Sequence, residues 1–554
     1  MVITYVLRRV RAVWLVSTCL LAVTASALVG CANLEATVSA ARETATPTPA
    51  VTPLPLSSPT PAPTPVGARL LPLTARPPQT PAMGRALPDE RVAEVMALLL
   101  ERHPDETLLQ EALDEVVANR DVRFIAPLVE LMRAGPMQLG ELSQAHIDAL
   151  ETLTGWAYSQ SWDRWVEWYG RADLSPPPGF ASWKGELLSR LDERYGEFLS
   201  VSKPTAIDLA ELVWSGLLPD GTLPLDDPPF VAARSRGAAY LDSDEPVFGV
   251  VVNGEPYAYP LRIMDVHQIA NHQIGGVPVT LGYSPMTGSA VLFDRRAADG
   301  ETYSFSSSGL VYQSDQLMYD RETWSLWSPL LGRPLVGPLV DAASGTHGPW
   351  LDVWPVVTAR WGEWVARHPD TQVLAAHTGA SRSYLLGFPH LEYFSSGDTA
   401  FPVSRTDDRQ LTKAWVYGID VDGTTKAYPL RTVFSEGVVN DRMGEVDVVL
   451  VGEGRGRGIR VEGELPMYGE VRYFAGGTIR AYERPDGESF SRGFNTGTVL
   501  DGRGRTWQVT EDGLVSPDGE VAPRVFGQLL YWFAWQAFHP DTDVYETMLP
   551  TAGP

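Results

Sequence analysis

At 554 residues the chain is too long for one hydrophobic core, so two or three domains are expected. Its composition, 44% hydrophobic and 10% aromatic, is that of a folded protein. The 68 acidic against 44 basic residues leave a net −24. That sign repels phosphate backbones and anionic lipid alike, which excludes nucleic acid as a partner and electrostatic adhesion as a route to a membrane.

The first 30 residues run from Arg8, Arg9 and Arg11 through an apolar stretch starting near Val13 to Leu28-Val29-Gly30-Cys31. Charged, then apolar, then small is the order of a secretory signal. Its end is similar to a bacterial lipobox, which implies cleavage before Cys31 and lipidation of that cysteine. Cys19 leaves with the signal on this reading, so neither a disulfide nor a thiolate metal site remains inside the chain. The alternative is an uncleaved signal anchor. Either way the arginines hold the N-terminus inside, and the body is expected outside the cytoplasm, anchored to the cell membrane. Residues 31–87 are a tether, dense in Pro and Thr over 43–82, as in Thr46-Pro47-Thr48-Pro49. Alternating prolines remove donors and fix φ, so the segment extends as a semi-rigid spacer of roughly 100 Å.

Residues 88–205 read as a small all-α module. Leu108, Leu109, Ala112, Leu113, Val116 and Val117 recur at helical spacing, as do Phe124, Ile125, Leu128, Val129 and Met132, with Asn119 and Gly135 as stops. A third helix spans about 142–154. Short antiparallel pairs of this kind resemble HEAT-type repeats. Trp162, Trp165, Trp168 and Tyr169 make an aromatic stripe that suits a core, and a last helix is expected over 186–198.

From about residue 240 the apolar period changes to two. Ala258-Tyr259-Pro260-Leu261-Arg262 recurs letter for letter as Ala427-Tyr428-Pro429-Leu430-Arg431, 169 residues later. At the same register Asn253-Gly254 is answered by Asp422-Gly423, and Asn271 by Asn440. Farther on, His368-Pro369-Asp370-Thr371 is answered by His539-Pro540-Asp541-Thr542. Two copies of one unit are expected, at 206–400 and 401–554, in a mostly β, α+β body. Each opens with a type I′ hairpin and leaves its second strand at the proline. Expected strands at 277–283, 290–295, 302–306 and 316–320 are matched with 446–451, 478–483, 489–493 and 506–509. One helix per copy is expected near its end, at 358–368 and 526–538.

The stretch from about 206 to 546 resembles the bacterial and archaeal family known as domain of unknown function 3179. Besides Ala258-Tyr259-Pro260-Leu261-Arg262, the resemblance rests on His267-Gln268-Ile269-Ala270-Asn271, Gly275-Gly276-Val277-Pro278-Val279 and Asp315-Gln316-Leu317-Met318-Tyr319-Asp320-Arg321. Further matches are Ser325-Leu326-Trp327-Ser328, Trp361-Gly362-Glu363-Trp364 and Thr378-Gly379-Ala380-Ser381-Arg382. The resemblance implies architecture and no particular activity. The family reads Cys-Pro-Leu-Cys-Gly where this chain has Ser284-Pro285-Met286-Thr287-Gly288, so soft-metal affinity and thiol–disulfide chemistry are both lost at that position.

Residues shared by both copies suit the common fold, and those confined to copy one are the candidates for a site. His267, with Glu436 as its counterpart, lies on a helix at i, i+4 to Asn271, so the two share a face. With Tyr283, Ser284 and Thr287 they would line one polar pocket, to which Asp294, Arg295, Tyr312, Asp315, Tyr319, Asp320 and Arg321 add ionisable or polar groups. A Ser284 nucleophile with His267 as base lacks the glycine pattern of a nucleophile elbow, and a metal site from His267, His272 and Asp265 lacks diagnostic spacing. The glycine-rich run at 452–458 lacks the context of a phosphate loop and reads as a plain loop. No catalytic residue and no cofactor are predicted. The leading expectation is a non-catalytic, lipid-anchored binding or scaffolding protein facing the extracytoplasmic space, with a protein or glycan as partner. The alternatives are an enzyme or metal protein centred on His267, and a carbohydrate or cell-wall binder suggested by 17 tryptophans.

Overall fold

The computed structural model describes residues 80–546, except 140, 141, 201, 342–347, 388, 455–457, 463–469, 475, 476, 486 and the side chains of 458–462 and 470–474. The expected signal, Cys31, most of the tether and part of the glycine-rich run lie outside the described residues. The protein is a mixed α+β structure with several sheets. Among the described residues no helix is long and apolar enough to cross a membrane.

The described chain opens with α-helices at Asp89–Leu98, Glu106–Asn119, Ile125–Gln138, Gln144–Thr154, Trp162–Tyr169, Phe180–Ser189 and Arg194–Phe198. Asp105 caps the second by accepting from Thr107 N and Leu108 N, and the helix buries Leu109, Ala112, Leu113 and Val116. The third runs past Gly135 and through Pro136. Leu139 N still reaches Gly135 O at 2.7 Å, and Gly135 is buried against Leu131 and Leu142, so packing overrides the local breakers. The helix expected over 186–198 is broken in two, because Asp192 takes hydrogen bonds from Arg194 N and Nε. In the aromatic stripe Trp165, Trp168 and Tyr169 are buried, while Trp162 lies under the Arg133 guanidinium. Lys184, fully buried, donates to Glu130 at 2.6 Å and to the carbonyls of Leu209 and Leu212. One apolar core runs from these helices into the strands Leu212–Trp214, Phe305–Tyr312 and Asp315–Asp320.

The two halves that begin at the repeated motif follow the same path. In the first, Pro246–Val252 pairs with Glu255–Pro260, with Val356–Arg360 on the outer side and Gln372–Leu374 parallel on the inner. In the second, Trp415–Val421 and Thr424–Pro429 stand between Gly527–Tyr531 and the parallel Asp543–Val544. The hairpin turns take the expected positive φ, 50° and 80° at Asn253-Gly254, 52° and 81° at Asp422-Gly423. Both second strands end at the proline, and Leu261–His267 and Leu430–Glu436 begin there as helices.

The repeated residues make the same contacts twice. Trp364 Nε1 donates to Thr371 Oγ1 at 2.9 Å and Trp535 Nε1 to Thr542 Oγ1 at 2.8 Å. The rings of His368 and His539 lie 4.1 Å and 4.0 Å from those tryptophans. Asn271 brackets the backbone of Phe305, N–H and carbonyl both, and Asn440 does so for Phe490. Trp327 donates to Asp320 and Trp507 to Asp501. The last pair corrects a strand match: Thr506–Val509 corresponds to Leu326–Ser328, one strand later than the 316–320 counterpart expected. The helices expected at 358–368 and 526–538 are shorter, Trp361–Arg367 and Trp532–Phe538, each preceded by a strand. There the residues before the first tryptophan pair with the hairpin and are drawn into the ladder. Beyond this frame the halves diverge: the first splits its later strands between two five-stranded sheets, the second gathers most of its own into one of eight and pairs Gly458–Glu462 with Glu470–Phe474 as a separate ribbon.

The tryptophan of each closing helix lies on a glycine of the hairpin strand. A β-carbon at Gly249 would overlap the ring of Trp364, and one at Gly418 the ring of Trp535. Gly249→Ala and Gly418→Ala are each expected to destabilise by about 1–3 kcal/mol through overpacking. Denaturant unfolding checks this, and unchanged midpoints would remove the glycine–tryptophan contact as a determinant of the fold.

Candidate functional site

Val277–Ser284 and Ser289–Ala297 are antiparallel, with Ser284 opposite Ser289, and the connection turns at Gly288 with φ 72°. Gly288 N bonds Ser284 O at 2.8 Å. On one side of this turn is a buried polar cluster. Thr287 Oγ1 lies 2.8 Å from Ser289 Oγ and 3.5 Å from Asp315 Oδ1. Asp315 is wholly buried, and burial pushes its carboxyl up to about 7, against the pull of the nearby Ser284 and Thr287 hydroxyls and the Gln316 N–H. Ser284 Oγ and Asp315 Oδ2 nonetheless complete no hydrogen bond of regular geometry.

On the other side of the turn is a cavity of about 200 Å³. The first half contributes Phe248 and Tyr283 to its wall; the second contributes Trp415 and Tyr531, and Phe394 comes from the connection between them. The halves are locked at this point. Tyr531 N donates to Thr287 O at 2.8 Å, Tyr393 OH donates to Met286 O, and a β-carbon on Gly288 would sit 2.6 Å from the Trp415 ring. Lys413 is the charged side chain of the wall. Its ammonium donates to the carbonyls of Tyr393 and Ser396, at 2.5 Å and 3.0 Å, and lies 3.5 Å from the centroid of the Tyr393 ring. Burial lowers its pKa to about 8, opposed by Asp398.

Of the expected pocket residues, Ser284, Thr287 and Asp315 come together, and Tyr283 faces the cavity beside them. The others do not join them. His267 and Asn271 do not share a helix face: the helix ends at His267, Gln268 takes φ 61°, and Asn271 lies in the strand Ile269–Ile274. His267 Nδ1 is 2.7 Å from Leu223 O, which can only accept, so that nitrogen carries the proton and Nε2 accepts from Tyr384 OH at 2.7 Å. Burial holds this imidazole neutral. Asp294 pairs with Arg296, Arg295 binds Tyr303 O and Ser304 Oγ, and Tyr312 packs on Phe538. Tyr319 donates to Asp220, Asp320 closes the turn ahead of Trp327, and Arg321 pairs with Asp226.

The alternative roles for these histidines meet the same geometry. The hydroxyl partner of His267 is Tyr384, so no Ser284–His267 pair forms. His272 Nε2 is 2.5 Å from Tyr259 OH, its Nδ1 is 3.1 Å from Gln273 O, and burial pushes it down to about 4. Among the described residues no three His, Cys, Asp or Glu side chains are placed to hold one metal ion. Sequence reasoning missed Lys413, Trp415 and Tyr531 because it sought differences only in the first half. At the 169-residue register Lys413 faces Asp244 and Trp415 faces Pro246, a mismatch that the same comparison, run in the other direction, picks out.

The family model described as protein of unknown function (DUF3179) matches residues 219–542, more than half of the chain. The chain belongs to this family. No curated protein and no solved structure matches it. The DUF3179 match takes in both halves, the Ser284 turn and the cavity, ending at Thr542, where Trp535 is bonded. The helices of 89–198 fall outside it.

Asp315 sets a pH dependence with a definite sign. Its folded pKa of about 7 lies above the ordinary 3.8, so the native state holds the proton more tightly. The stability it contributes is complete below about pH 4 and is lost as pH rises through 7, at up to about 1.4 kcal/mol per pH unit between those values. Relative to Asp315→Asn, the native protein is therefore expected to lose stability from pH 5 to 8. Parallel unfolding curves for the two proteins over that range would show that Asp315 is ionised throughout.

Proposed function

We propose that this DUF3179 protein is a membrane-anchored lipoprotein of the extracytoplasmic space that captures a small, largely apolar ligand without transforming it. The observation that carries the capture reading is the cavity at the Ser284 turn, lined by rings from both halves and by one cation. Its volume suits a small occupant, since an apolar cavity of about 150 Å³ holds benzene. The absence of catalysis is inferred from the residues at the turn: hydroxyls stand where the resemblance implies thiols, and Ser284 has no histidine partner. We further infer that the body is two copies of one unit, supported by the paired contacts of Trp364 and Trp535 and of Asn271 and Asn440. The HEAT-like module of 88–205 is the surface proposed for protein contact, presented by the tether and by lipid on Cys31. A glycan platform draws less support, because among the described tryptophans the exposed rings are Trp156 and Trp350, and neither lines the cavity.

Two measurements test this reading. Cys31→Ala is expected to move the protein from the membrane to the soluble fraction, and persistence in the membrane fraction contradicts lipid anchoring. Toluene and indole are expected to raise the melting temperature of the full chain, and Leu529→Trp, which fills the cavity, to abolish the rise. If neither compound shifts the native protein, or if the filled variant responds equally, the cavity is not a capture site.

A further inference from the structure

Arg133 and Arg295, both half-buried, donate to carbonyl or hydroxyl oxygens. Other buried or half-buried cations have a carboxylate in contact: Lys184 has Glu130, Arg262 has Glu245, Lys426 has Asp441 and Arg480 has Glu511. Lys413 instead has two backbone carbonyls and the faces of Tyr393 and Tyr531, while Asp398 acts on it from a distance. Among the described residues no carboxylate touches Lys413; a half-buried ammonium without a contacting counter-ion is costly, and an anion delivered by a ligand removes that cost. An ammonium has three donors; two are committed to Tyr393 O and Ser396 O, which leaves one for an acceptor in the cavity. The rest of the wall is aromatic or aliphatic for the most part, with Phe248, Tyr283, Phe394, Trp415 and Tyr531 supplying ring faces and edges.

Resting on the capture reading above, we propose that the ligand is a small carboxylate of single-ring size, its ring held among Tyr283, Trp415 and Tyr531 and its carboxylate on Lys413. A neutral alcohol of the same shape offers the third donor an acceptor without a counter-charge, and an amine sets a second cation beside the first. Both bind more weakly for that reason. The chain's net charge of −24 does not prevent capture of an anion, because exposed charges are screened beyond about 8 Å at physiological ionic strength while the Lys413 contact is direct.

Calorimetric titration of the full chain with benzoate, benzyl alcohol and benzylamine tests the assignment, using the native protein, Lys413→Met, Lys413→Arg and Leu529→Trp. Benzoate is expected to bind the native protein at least tenfold more tightly than benzyl alcohol, with benzylamine weakest. Lys413→Met should abolish the preference for benzoate while keeping benzyl alcohol binding, Lys413→Arg should retain part of the preference, and Leu529→Trp should remove binding of all three. If benzyl alcohol equals benzoate in the native protein, or Lys413→Met binds benzoate unchanged, the carboxylate assignment is overturned while the cavity stands. If none of the three binds the native protein, or Leu529→Trp binds as the native protein does, the capture reading falls as well.

Discussion

The contact on which the rest depends is an indole laid on a strand that has no side chain beneath it. Gly418 lets the Trp535 ring close on the hairpin, and Trp535 Nε1 then reaches Thr542, whose neighbour Asp543 pairs in parallel with the hairpin. The helix carrying Trp535 begins directly after Tyr531, so the same contact places the end of the strand Gly527–Tyr531. Tyr531 N holds the Thr287 carbonyl, and its ring walls the cavity. One missing β-carbon in the second half is thereby transmitted to the Ser284 turn of the first.

A second seam fixes the halves independently. Arg367, at the end of a first-half helix, pairs with Glu453 at 2.7 Å and donates to Val509 O. Glu453 also accepts from Arg480, which holds Glu511 at 2.6 Å, and His368 Nε2 stands 3.5 Å from the same Glu511. Arg480 is 1% exposed. Burial disfavours ionised Glu511, yet Arg480 and the groups around it hold its carboxyl well below the usual range, so the pair stays charged. Removing one member of such a network strands a buried charge, at a cost of about 3–5 kcal/mol. The part of this network is to hold the two halves in one relation, so that the cavity on the other seam is formed before anything enters it.

Much of the frame was legible because the determinants are local. Asn253-Gly254 and Asp422-Gly423 carry their hairpins in two residues, and a proline after Tyr259 or Tyr428 cannot continue a ladder. Where the reading erred, a nonlocal contact outweighed a local pattern. The i, i+4 spacing of His267 and Asn271 has meaning only while a helix lasts, and this one stops at His267, where the strand Ile269–Ile274 is drawn off to pair with Val277–Ser284. Val356–Arg360 satisfies helical spacing as well as strand alternation, and pairing with Pro246–Val252 decides for the strand. Lys413 and Trp415, in a loop and at a strand start, stand out only when the second half is compared with the first; their role exists only because the second half turns them toward the first.

The Ser284 turn shows what exchanging sulfur for oxygen does to the chemistry available. Two hydroxyls beside a buried carboxyl form a set of hard, weakly acidic groups, and among the described residues neither a thiolate nor an imidazole is in contact to serve as nucleophile or base. Burial raises Asp315 toward neutrality, so the cluster can shed its charge near pH 7 instead of requiring a counter-cation. That property makes it a tolerable floor for the turn and a poor centre for chemistry. Tyr283 and Ser284, adjacent in one strand, face opposite sides of it, so the polar cluster and the aromatic cavity are separated by the strand itself. The cavity presents rings, the aliphatic Leu261 and Leu529, the polar Thr358 and Ser396 and one ammonium, and the Asp315 carboxyl belongs to the cluster on the other side of the strand. This separation stands beside the exchanged thiols as a second support for the proposed capture without transformation.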